Sequence, residues 1–117
     1  MRRLLDAGAL VASAFDVVRG EPGERAIRRA IARFERGGAL VFADLPGWPR
    51  PPAINGFVPA VYAVYEDREV VLILEDAEAW DTEGATRRRL AFAAWAAAEP
   101  EREIESVVVS GRRRAPE

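Results

Sequence analysis

The alternation of apolar and polar residues predicts a β-hairpin between residues 56 and 81. Residues 61–65 are rich in β-branched and aromatic side chains, which are typical of strands. Residues 66–69 are a polar turn, and residues 70–74 are a continuous apolar run. A short run that is apolar throughout is typical of a strand buried on both faces. We therefore expect this second strand to lie centrally in a sheet.

Helical patterns precede and follow the hairpin. Apolar residues recur at helical spacing over residues 2–19 and 24–36, with a break at residues 20–23. A first strand is predicted over residues 39–45, and the proline-rich residues 46–52 predict a loop. A third helix is predicted to begin with Asp81 or Thr82 as its cap and to end before Pro100, and a last strand covers residues 104–109. The predicted order is α-α-β-β-β-α-β.

Length and composition indicate one folded domain. A chain of 117 residues is long enough for a single core, and half of its residues are hydrophobic while 31% are charged. We expect one domain, 1–117, with an N-terminal helix and turn (1–22), a core (23–109) and a basic tail (110–117). The fold class is α/β, with a mixed, mostly antiparallel central sheet flanked by helices.

The absence of three residue types excludes several kinds of chemistry. The chain has no histidine, cysteine or lysine, and all 17 of its basic residues are arginine. Zinc-thiolate sites, thiol nucleophiles, Ser-His arrangements and lysine Schiff bases are therefore excluded. Carboxylates remain as candidate acids, bases and ligands, and they favour a hard metal such as Mg²⁺ or Mn²⁺. The net charge of −2 does not by itself indicate a nucleic-acid binder.

Three acidic residues follow the apolar strand directly. If the alternation of a strand continues, Asp76 and Glu78 share a face with Leu72 and Leu74, and Glu75 points to the other face. Two carboxylates at the end of a buried strand cost free energy unless they are compensated. A divalent cation is one form of compensation. Ion pairing with Arg87 or Arg88, or simple solvent exposure, is the alternative.

We expect a cytoplasmic protein that does not span a membrane. The longest apolar stretches are shorter than a membrane span. The start at Met1-Arg2-Arg3 lacks the apolar run and the cleavage site of a secretory signal.

The order of elements, together with several short motifs, resembles the PD-(D/E)XK (restriction-endonuclease-like) nuclease superfamily over roughly residues 24–109. Pro59-Ala60 occupies the "PD" position at the start of the hairpin, and Asp76-Ala77-Glu78 occupies the acid-x-Lys position. The loop LPGWPRPPAING before the hairpin, and the Asp-Thr and Thr-Arg pairs after it, are similar to a small uncharacterised group in that superfamily. The resemblance implies a restriction-endonuclease-like αβββαβ core at residues 23–109, with an extra N-terminal helix.

The resemblance also implies roles for individual residues. In the superfamily, the PD aspartate and the following acid hold one or two metal ions, which activate water for hydrolysis of a DNA phosphodiester. Asp76 and Glu78 are the implied catalytic residues and ligands of Mg²⁺ or Mn²⁺, and Glu24 on the first core helix is an implied assistant. However, Ala60 replaces the PD aspartate, and a methyl group cannot bind a metal. We therefore expect a relative of DNA endonucleases that is weakly active or inactive.

Candidate contacts to nucleic acid are Arg87 and Arg88 near the start of the third helix, and Arg50 in the proline-rich loop. Residues 87–89 also fit a solvated helix face. Two other functions stay open at this point: a non-catalytic module that binds nucleic acid or protein, and a self-associating structural protein, such as a homodimer, that uses the alanine-rich residues 92–98. The three tryptophans, Trp48, Trp80 and Trp95, are expected to serve packing more than base stacking.

Overall fold

The computed structural model describes residues 21–109. The helix predicted over residues 2–19 and the basic tail lie outside the described residues. The described elements are α1 (Glu21–Arg36), β1 (Leu40–Ala43), β2 (Val61–Val64), β3 (Glu69–Asp76), a 3-10 turn (Ala77–Ala79), α2 (Glu83–Ala98) and β4 (Arg102–Val109). This order confirms the α-β-β-β-α-β part of the prediction.

The four strands form one mixed sheet in the order β1-β2-β3-β4. The β1–β2 and β2–β3 pairs are antiparallel, whereas β4 lies parallel to β3 after the crossover through α2. The hairpin register places Val61 opposite Leu72. β3 lies between two neighbours and is buried at every position from Val70 to Asp76, which confirms the central strand expected from its apolar run.

Each face of the sheet is covered by one helix. On the first, called the α1 face, Ile27 and Phe34 pack with Leu72 of β3 in a buried cluster. On the second, the α2 face, Phe92 packs with Val71 and Ile73 of the same strand. Successive residues of β3 therefore enter opposite cores, as the pleat of a strand requires.

Several element boundaries differ from the sequence prediction. β1 is Leu40–Ala43, shorter than the predicted residues 39–45, and β2 ends at Val64. α1 begins at Glu21, not at residue 24, because a proline such as Pro22 is tolerated in the first turn, where its missing N–H needs no partner. β3 continues two residues past its apolar run, to Asp76. β4 begins at Arg102, two residues before the predicted start. Within residues 21–109, neither helix has the length and apolar character needed to cross a membrane.

Candidate functional site

The acids predicted to form the site lie where β3 ends. Asp76 is the last residue of the strand, and its buried Oδ1 accepts a hydrogen bond from the backbone N–H of Glu78 at 3.0 Å. Glu78 belongs to the 3-10 turn and is exposed. The strand alternation that predicted a shared face for the two acids therefore does not extend to Glu78. The carboxylate of Asp76 caps the turn that follows it.

Glu24 lies near the start of α1 and forms an ion pair with Arg28, one turn later, at 3.1 Å. Across the described part of the chain, no three acidic side chains converge closely enough to hold a metal ion. The metal-binding and catalytic roles of Asp76, Glu78 and Glu24 thus stay predictions.

A buried ion-pair cluster occupies the α2 face at the same end of the sheet. Glu75 is 0% exposed, and its Oε1 accepts from Arg88 at 3.2 Å and from Arg89 at 3.5 Å. Arg88 is itself 7% exposed, and the guanidinium of Arg89 also lies 4.1 Å from the ring centre of Trp80. The other oxygen of Glu75, Oε2, and the Nε of Arg88 are buried without a hydrogen-bond partner.

Ala60 lines a small cavity next to this cluster. The cavity has room for about one water molecule. Its wall also includes Asp44 at the end of β1, Ile73 of β3, and Arg88 and Phe92 of α2. Arg88 therefore lines the cavity together with Ala60 and also pairs with the buried Glu75. Asp76 is not part of the cavity wall.

The arginines predicted to contact nucleic acid have three different environments. Arg87 is exposed and pairs with Glu83, one turn away, at 3.3 Å. Arg50 is exposed within the loop that joins β1 to β2, and the carbonyl of the preceding Pro49 accepts from the Ala43 N–H at 2.9 Å. Arg88 is buried, so neither an exposed phosphate contact nor a solvated helix face describes it. The carboxylate partner of Arg88 is Glu75, whereas the ion-pairing alternative predicted from the sequence involved Asp76 and Glu78.

The cluster of Glu75, Arg88 and Arg89 was not predicted from the sequence, although one signal for it was present. Strand alternation already placed Glu75 on the face opposite Asp76, and that face needed a helix to cover it. Two of the three tryptophans pack as expected, Trp48 against the α1-face core and Trp95 against the α2-face core. Trp80 is 43% exposed beside Arg89.

No family model, no curated protein and no solved structure matches this chain. Assignment of a function therefore depends on the groups that meet where β1 and β3 end: Asp44, Ala60, and the ion-paired Glu75, Arg88 and Arg89.

Proposed function

We propose that this chain is a nuclease-like module of the restriction-endonuclease-like class that binds nucleic acid and does not hydrolyse it. The αβββαβ order, the mixed sheet and the helix on each face support this class. Ala60 directly precedes β2, and its N–H donates to the carbonyl of Leu72 in β3 at 2.9 Å, which supports its equivalence to the PD position. A function without hydrolysis follows from the groups around it.

The single observation that carries the proposal is the arginine-paired carboxylate beside Ala60. Metal-dependent hydrolysis requires carboxylate oxygens with free lone pairs. Ala60 offers none. Glu75 has one oxygen, Oε1, that accepts from two guanidinium groups at 3.2 and 3.5 Å, and only its other oxygen, Oε2, has no hydrogen-bond partner. A divalent cation at this carboxylate is repelled by both arginines, and repulsion between charges a few ångströms apart is strong in a buried site. The two arginines therefore neutralise the charge of Glu75 and disfavour metal binding at its carboxylate.

The same end of the sheet retains groups suited to phosphate. β1 and β3 run in the same direction, so both end here, and α2 begins here. The start of a helix presents backbone N–H groups and a partial positive charge to an anion. Arg87 is an exposed cation in the second turn of α2, and Arg50 is an exposed cation in the loop that follows β1. Contacts of this kind bind the nucleic-acid backbone without reading its sequence.

Binding is tested by fluorescence anisotropy with labelled duplex and single-stranded DNA of mixed sequence. We expect the Arg50→Ala/Arg87→Ala variant to bind at least about tenfold more weakly and with a shallower salt dependence, because two phosphate contacts are lost. Arg28→Ala is the matched control, since Arg28 is also exposed and pairs with Glu24 one turn away, as Arg87 pairs with Glu83. An equal loss in the control, or no binding by the parent protein, would reject this surface.

Hydrolysis is tested separately on plasmid and single-stranded substrates with Mg²⁺ or Mn²⁺. The parent protein is expected to leave both substrates intact. Calorimetric titration with Mn²⁺ then compares the parent with Ala60→Asp and with Ala60→Asp/Arg88→Met, in which a carboxylate is added and a competing guanidinium is removed. Tighter Mn²⁺ binding is expected in the double variant. Metal-dependent cutting by the parent protein contradicts the proposal.

A further inference from the structure

A basic groove lies between α1 and β4, on the α1 face of the sheet. Its wall includes Ala26, Arg29, Ala30, Arg33 and Arg36 of α1, and Val107 of β4. Arg33 makes two hydrogen bonds to Glu105 of β4, at 2.8 and 3.4 Å, and the bond to Glu105 raises the pKa of Arg33. Arg29 and Arg36 have no hydrogen bond or ion pair with any described residue. The groove therefore has two uncompensated cations and a floor of small side chains.

The outer edge of β4 borders this groove. β4 is the terminal strand, and within residues 21–109 no further strand pairs with it. The N–H of Glu69 donates to the carbonyl of Glu101 at 3.0 Å, and this bond shows which residues of β4 are hydrogen-bonded to β3. The backbone N–H and C=O groups of the odd-numbered residues of β4 point toward β3. The N–H and C=O groups of Ile104, Ser106 and Val108 consequently point away from the sheet.

We propose that an acidic segment of a partner protein binds here as an added strand. Its backbone pairs with Ile104, Ser106 and Val108, which extends the sheet beyond β4. Every second side chain of an added strand lies on the α1 face, next to the groove. Glutamate or aspartate at those positions meets Arg29 and Arg36, which supplies the charge complementarity. This inference goes beyond the proposed binding of nucleic acid and concerns a different surface.

Charge and hydrogen bonding favour an acidic peptide over two other occupants. A second copy of the chain could pair antiparallel with β4 about a two-fold axis. This arrangement places the two basic grooves on the same face of the joined sheet, where their like charges repel. A DNA backbone offers acceptors to the arginines, but it has no donor for the outward carbonyls of β4, and the 2′-hydroxyls of RNA are the only donors that a nucleic-acid backbone has. A peptide strand provides both donors and acceptors along the edge.

The test uses the full chain and a labelled ten-residue peptide of alternating glutamate and threonine, followed by anisotropy. We expect the peptide to bind, and a peptide with lysine in place of glutamate not to bind. Arg29→Ala/Arg36→Ala is expected to weaken binding about tenfold or more, since two charge-assisted contacts are lost. Arg28→Ala, on the same helix but outside the groove, is the matched control.

Ser106→Pro tests the strand geometry. The N–H of Ser106 points outward, so proline removes an edge donor and obstructs an added strand without breaking the ladder to β3. Loss of peptide binding with unchanged circular dichroism supports the proposal. If Ser106→Pro does not fold, Val108→Pro is used instead, because the N–H of Val108 also points outward. Arg29→Ala/Arg36→Ala still tests whether the two arginines bind the acidic side chains of the peptide.

Three results overturn the inference. The first is no binding of the glutamate peptide by the parent protein. The second is single-stranded DNA binding that falls with Arg29→Ala/Arg36→Ala but not with Ser106→Pro, which assigns the groove to nucleic acid. The third is a dimer in light scattering that Ser106→Pro dissociates, which assigns the edge to a second copy. The Arg50→Ala/Arg87→Ala variant should retain peptide binding, so failure of one proposal is distinguishable from failure of the other.

Discussion

The ion pair between Glu75 and Arg88 is buried between β3 and α2, so removing one partner leaves an uncompensated charge. We expect Arg88→Met to lower the free energy of unfolding by about 3 kcal/mol. Arg89 stays 3.5 Å from the carboxylate, which limits the loss. Arg87→Met is the matched control, because its exposed pair with Glu83 contributes less than about 1 kcal/mol. Urea unfolding measures both, and equal effects would contradict the buried role of Arg88.

Tyr62 of β2 makes the stability of the fold depend on pH. Burial and a 2.8 Å hydrogen bond to Glu69 raise the pKa of Tyr62 from 10.0 to about 12. Because the folded protein holds this proton more tightly than the unfolded chain, its stabilising effect is complete below pH 10 and is lost as the pH rises toward about 12. We expect Tyr62→Phe to flatten the fall in stability between these pH values.

Tyr65→Phe is the control for that measurement, since Tyr65 is the chain's other tyrosine and its ring lies under Arg68, at 4.0 Å. The denaturant midpoints of the parent and of both variants are measured from pH 9 upward, in steps of about half a pH unit. A parent-like slope in Tyr62→Phe would show that Tyr62 is not the titrating group.

Sequence reasoning predicted part of the site at the residue scale. The alternation of β3 correctly placed Glu75 on the face opposite Asp76. The choice of Arg88 as its partner was not predictable, because the contact joins residues 13 apart and depends on how α2 is rotated over the sheet. Helical spacing does put Arg88 on the same face as the buried Ala85 and Phe92, with Arg87 off that face, but the sequence did not show which face of α2 would be buried.

At the scale of elements, the cap of α2 is a testable feature. The sequence allowed either Asp81 or Thr82 as the cap, and in the structure Oγ1 of Thr82 accepts from the N–H of Ala85 at 3.2 Å. We expect Thr82→Ala to cost about 1 kcal/mol of stability and Thr82→Ser to restore most of it. Asp81→Ala is the control and should cost only a few tenths of a kcal/mol, since only the helix dipole is affected. A larger effect at Asp81, in thermal unfolding, would reassign the cap.

The bounds of β3 show why element ends were harder to predict than the elements themselves. The hairpin was predicted because residues 61–65 and 70–74 have strong strand patterns around a polar turn. The apolar run ends at Leu74, and the acids after it left the last residue of the strand open. The strand continues to Asp76, where Arg88 compensates Glu75 and Asp76 bonds to the turn that follows. Tertiary contacts thus extend a strand past the point where its local pattern stops.

At the scale of the whole molecule, the mixed sheet was predictable from the short hairpin turn and from the long crossover through α2. A short turn requires antiparallel strands, and a helical crossover returns the chain parallel to its starting strand. The alanine-rich face suggested for self-association is used in part within the chain, since Phe92 is 0% exposed against β3. Leu90, at 63% exposed, is the large apolar residue that α2 presents outward.

Because β3 contributes alternate side chains to both cores, we expect the described domain to unfold as a single unit. Phe34 anchors the α1-face core and Phe92 the α2-face core, and both are fully buried. Phe34→Ala and Phe92→Ala should each lower the free energy of unfolding by about 3–5 kcal/mol. Leu90→Ala is the exposed control on α2 and should change stability by less than about 0.5 kcal/mol.

The tryptophans allow the two cores to be followed separately. Trp48 packs against the α1-face core and Trp95 against the α2-face core, so single-tryptophan variants report on one core each. If the domain is one cooperative unit, both reporters shift to the same midpoint whichever phenylalanine is removed. We expect this outcome because both cores include side chains of β3, so loss of either helix layer exposes one face of the strand on which the other layer packs. A Trp48 transition that moves only with Phe34→Ala would show that the two layers unfold independently.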